Sequence, residues 1–114
     1  MQTSRAVLFI RARHVGPDER AVIEAQISAQ RDAGQKLADS LRTDIVTEYI
    51  EHGGTDRLER RPIVQRMLAE LGQARSIDYV ITYHADRLAR RTADLTAINQ
   101  SIETAGARLL FAAG

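Results

Sequence analysis

Apolar residues run unbroken from Ala6 to Ile10, with arginines on either side at Arg5 and Arg11. Such a run is too short for a helix with one wet face and suits a strand buried on both sides, which predicts a first strand over Arg5 to Ala12. Farther on, Ile23, Ile27, Gln30, Leu37 and Leu41 recur at nearly helical spacing. They predict a helix that Asp18 is placed to cap and that Gly34 weakens at its middle. Thr43 to Glu51 is dominated by β-branched and aromatic residues until His52-Gly53-Gly54 interrupts it, the signature of a second strand. Pro62 suits a first helical turn, and Ile63, Val64, Met67, Leu68 and Leu71 then share one face up to Gly72. Ile77 to Tyr83 reads as a third strand. Thr92 is placed to cap a last helix with Leu95, Ile98 and Ile102 inward, closed by Gly106 before the strand-like Ala107 to Ala113.

Strands and helices therefore alternate. The fold class this predicts is α/β: a single three-layer domain over residues 1–114, with a mainly parallel sheet of about four strands and helices on both faces. A chain of 114 residues is enough for one core and too short for two. In sheets of this kind ligands gather beyond the carboxyl ends of the strands, where the strand order reverses.

Composition adds limits. Apolar residues make up 44% and charged residues 27%, an ordinary globular mixture, and no apolar run approaches the length of a signal peptide or membrane span. A cytoplasmic protein without membrane partners is expected. There is no cysteine, which excludes disulfides, thiolate metal sites and a cysteine nucleophile. His14, His52 and His84 lack metal-ligand spacing, so no metal and no cofactor are expected. The net charge of +1 argues against a uniformly basic coat. Yet Lys36 is the one lysine among sixteen basic residues, and arginine is the cation that grips phosphate through two N–H groups at once. Three predicted strand ends lead into arginines: Arg11 and Arg13; Arg57, Arg60 and Arg61; Arg87, Arg90 and Arg91 around Asp86. Ordinary surface pairing of Asp86 with Arg87 or Arg90 accounts for part of this pattern. Convergence of the three groups on a phosphodiester accounts for all of it, since clustered guanidinium groups repel unless an anion joins them.

Four segments, in order, resemble the N-terminal catalytic domain of the serine recombinases, the resolvases, invertases and large serine integrases. They are Phe9-Ile10-Arg11 at a strand end, Ile23 to Gln26, a Gly-Gly-Thr loop leading to Arg61-Pro62, and Asp86-Arg87-Leu88-Ala89-Arg90 after an apolar strand. The likeness spans about Arg5 to Ala112. It implies DNA strand exchange, in which a serine hydroxyl attacks the scissile phosphate and arginines neutralise the charge that develops. By position, Arg11, Arg61, Arg87 and Arg90 match the phosphate-contacting arginines, and Asp86 and Gln26 match polar active-site residues. The family also implies DNA as partner, pairing of subunits, a nucleoid-associated bacterial setting and often a mobile element.

Two departures qualify the resemblance. The slot that holds the catalytic serine contains Arg13, and Ala12, His14, Val15 and Gly16 offer no hydroxyl in its place. The family's C-terminal dimerisation helix and DNA-binding domain are also not expected within these residues. The resulting expectation is a recombinase domain that keeps its phosphate-binding arginines and does not cleave. The alternatives are a non-catalytic interaction partner of an intact recombinase, and an unrelated domain for a small phosphorylated ligand. The last is disfavoured because a single glycine, Gly16, follows the first strand where a phosphate loop needs several.

Overall fold

The structure, a computed structural model, describes residues 3–13, 20–53 and 57–113. Strand β1 (Ser4–Ala12) is followed by helix α1 (Arg20–Leu41), strand β2 (Thr43–His52), a single 3₁₀ turn at Leu58–Arg60 and helix α2 (Pro62–Ala74). Strand β3 (Tyr79–Thr82), the one-turn helix α3 (Ala85–Leu88), helix α4 (Thr92–Thr104) and strand β4 (Arg108–Phe111) complete the chain. All strand pairs are parallel, in the order β2-β1-β3-β4. The expected four-stranded α/β layering is present.

Burial follows from that order. β1 lies between two neighbours and is covered above and below, so every residue from Ala6 to Ala12 is buried. Alternate side chains then serve two cores. Ala6, Leu8 and Ile10 pack with Ala38, Ile27 and Leu37 of α1, whereas Val7 and Phe9 pack with Val64, Met67 and Leu71 of α2 and with Ile98 and Ile102 of α4. On the second face the Tyr49 hydroxyl donates to Glu70 Oε1 at 2.7 Å, and burial followed by that hydrogen bond pushes its phenol up to about 12.

Several boundaries differ from expectation, each for a local reason. The ridge of α1 that meets the sheet is Gln30, Gly34 and Ala38, while Leu41 is exposed. Gly34 is therefore a contact residue: a Cβ there would lie 2.6 Å from Leu8 Cδ1. Pairing of β1 with β2 skips Val46 between Ala6↔Ile45 and Val7↔Thr47, which turns this valine outward. The last helix has Arg91 as its cap, without a side-chain capping bond, and Thr92 already lies within it. β3 and β4 are shorter than the apolar runs that announced them. Asp18, His14 and the Gly54-Thr55-Asp56 segment lie outside the described residues.

Candidate functional site

The strand order reverses between β1 and β3: the chain leaves β1 toward β2 on one side and leaves β3 toward β4 on the other. Their carboxyl ends deliver Arg11 and Arg13 from β1 and the segment Tyr83–Arg91 from β3 to the same rim, the place where such sheets hold ligands. An open cavity of about 500 Å³ lies there, lined by Arg13, His84, Asp86, Arg90 and Arg91 together with Thr92 and Leu95 at the start of α4. Arg13, Asp86 and Arg90, remote in sequence, thus share one cavity.

The backbone that presents Arg13 is held by two amides of α1. β3 stops pairing with β1 at Phe9↔Thr82. Beyond that point Gln30 takes the role of a neighbouring strand: its Oε1 accepts from the Arg11 N–H at 3.1 Å, and its Nε2 donates to the Arg11 carbonyl at 2.9 Å. Gln26 Oε1 accepts from the Arg13 N–H at 3.0 Å, and the Gln26 carbonyl accepts a further bond from Gln30 Nε2. Gln26, expected at the site, is thus placed against Arg13. Gln30 was legible as an inward-facing helix position, not as the clamp on this strand end.

Arg11 and Arg61 meet at a carboxylate that no motif indicated. Glu51, near the end of β2, places Oε1 at 2.9 Å from Arg61 Nε, 2.8 Å from Arg61 Nη2 and 3.3 Å from Arg11 Nε. All three residues are buried. Arg61 Nη1 donates to the Leu88 carbonyl of α3, and its guanidinium lies 6.0 Å from the centre of the Phe9 ring. On α3, Arg87 Nε is 4.0 Å from Asp86 Oδ1, and Arg87 is partly exposed. His84 Nδ1 accepts from the Asp86 N–H at 3.2 Å and so caps that single turn. Arg57 precedes the 3₁₀ turn, Arg60 is its last residue, and both are exposed. Among the described residues no group of histidine and carboxylate side chains is arranged to hold a metal ion, and no helix is long and apolar enough to cross a membrane.

Solved structures share this architecture, three of them as follows. The N-terminal catalytic domain of TP901-1 integrase matches with a TM-score of 0.76 at 18% identity, over 96% of this chain and 77% of that one. A resolvase family site-specific recombinase from Streptococcus pneumoniae gives 0.75 at 21% identity, over 96% and 72%. The C-terminal catalytic domain of ISC1926 TnpA, an IS607-like serine recombinase, gives 0.74 at 21% identity, over 96% and 68%. At these identities the likeness establishes the fold. No curated protein matches in sequence. The family model of the resolvase N-terminal domain matches residues 12–114, nearly the whole chain, and the chain therefore belongs to the resolvase N-terminal domain family.

Proposed function

We propose that this chain is a serine recombinase domain that binds the DNA backbone through the arginines of its β1 and β3 strand ends and does not form the covalent protein–DNA link. The observation that carries the reading is Arg13: it stands in the family's serine slot and lines the same cavity as Asp86 and Arg90. An arginine stays protonated at neutral pH and has no lone pair with which to attack phosphorus. It adds a third cation to a cavity already lined by Arg90 and Arg91, which favours holding a phosphodiester over cleaving it. Arg87 and Arg90 supply further phosphate contacts, Asp86 and Gln26 orient the rim, and pairing with another recombinase subunit follows from the family.

The test uses nicked duplex oligonucleotides that trap phosphoserine links. On denaturing gels the wild-type chain yields no DNA-linked band, whereas Arg13→Ser, which returns a hydroxyl to the strand end, yields one. A covalent band from the wild type would sink the proposal.

A further inference from the structure

We infer that Arg61 and Glu51 are a brace that positions α3, and that Arg61 acts on bound phosphate through Leu88 without touching it; the inference rests on the reading that Arg87 and Arg90 hold DNA. Family position marks Arg61 as a phosphate ligand, but its surroundings in this chain assign it otherwise. Arg61 is 2% exposed: its Nε donates to Glu51 Oε1 and its Nη1 to the Leu88 carbonyl, while Nη2 lies 2.8 Å from the same Glu51 oxygen as an ion pair without a hydrogen bond of its own. Reaching a phosphate would require Arg61 to leave a buried carboxylate, which is costly to strand without its partner.

What the brace supports is weak by itself. A four-residue helix closes almost none of its own hydrogen bonds, so α3 depends on attachments from elsewhere. Its main-chain bonds are Arg87 N–H to the His84 carbonyl and Ala89 N–H to the Ala85 carbonyl, each 3.0 Å. The Leu88 side chain anchors it in the core, and Arg61 holds the Leu88 carbonyl. Glu51 in turn fixes the fork of Arg61 from the end of β2, where it also meets Arg11. Tension on this line moves Arg87, next to Leu88, and Arg90, two residues beyond it. A lysine at position 61 has no planar fork and cannot grip both ends.

Two measurements on Arg61→Gln and Glu51→Gln test the brace, both well below the melting temperature. In amide hydrogen exchange, both variants lose protection at Arg87 and Ala89, while the amides of β3 keep theirs. In titrations with one duplex over a range of salt, both bind DNA more weakly by between about twofold and thirtyfold, the span for residues that influence a ligand without touching it. The slope of log K against log salt stays at the wild-type value, because every phosphate keeps its cation. The sign for Glu51→Gln is decisive. Removing a negative charge near the rim by itself strengthens DNA binding, so weaker binding requires a missing support. Stronger binding by Glu51→Gln, or a slope in Arg61→Gln shallower by about 0.9, the value for one phosphate, overturns the inference. Should either variant fail to fold, Glu51→Asp draws the carboxylate back by one methylene and keeps its charge. It loses α3 protection to a smaller degree, and wild-type protection there overturns the brace. If the wild type itself shows no salt-dependent DNA binding, the proposed function falls, and the exchange result alone decides the brace.

Discussion

At the end of β1 the two glutamines of α1 solve a problem of unfinished pairing: β3 is too short to satisfy Arg11, and a buried peptide group without a partner is costly. Gln30→Leu keeps the volume and removes both bonds to Arg11. It should lower stability by about 2–6 kcal/mol, two buried groups at roughly 1–3 kcal/mol each, as read from urea unfolding with an unchanged m-value. A loss below about 0.5 kcal/mol would mean that water satisfies Arg11 equally well. The sequence disclosed these residues unevenly. Gln30 fell on the inward stripe by spacing, and Gln26 was singled out by resemblance, yet which main-chain atoms they meet is a tertiary fact without a periodic signal. Arg61 shows the same limit. Its motif supplied its identity, but the partner that turns its guanidinium inward, Glu51, lies ten residues earlier across a strand end, in a stretch read only as a strand.

Elements were legible in proportion to their length. Four strands and three long helices each carried a run or a stripe, whereas the 3₁₀ turn at Leu58–Arg60 and α3 are too short to show a period and read as loop. The helix α1 shows where an apolar stripe falls short when helix and strand approach closely: Ile27, Gln30 and Leu37 face the sheet as expected, and Leu41 does not. Its most buried ridge is Gln30, Gly34 and Ala38, with Ile27 and Leu37 of the stripe packed beside it; at Gly34 a larger side chain would not fit against Leu8, and Leu41 is left outside. Gly34→Ala then sets two effects against each other. Helix propensity gains about 1 kcal/mol, while the new methyl overpacks against a fully buried Leu8 at a cost of about 1–3 kcal/mol. The net expectation is a lower melting temperature. In a Leu8→Ala background the obstacle is gone and the same substitution should stabilise. Equal effects in both backgrounds would show that the contact with Leu8 is unimportant.

Across the whole molecule, charge and topology act together. A net charge of +1 provides no general attraction for DNA, so the proposed binding rests on the arginines that the reversal of strand order gathers at one rim, Arg13, Arg90 and Arg91. The meeting of Arg13 with Arg90 and Arg91 was legible because the alternation of strands and helices predicted a parallel sheet, which places the carboxyl ends of all its strands on one edge. The division among the arginines was not, since burial of Arg11 and Arg61 with Glu51 depends on packing between distant segments. A small rim implies few phosphates bound. Titration of short duplexes should therefore give a slope of log K against log salt between about −1 and −3, corresponding to one to three phosphates at roughly 0.9 each. The slope should not depend on base sequence, because the DNA backbone carries no sequence information. Arg87→Ala together with Arg90→Ala should weaken binding uniformly across duplexes and flatten the slope by about 0.9 for each phosphate no longer neutralised. An unchanged affinity and slope in the double variant would place the DNA elsewhere on the protein, and a wild-type slope much steeper than −3 would mean that arginines beyond this rim take part.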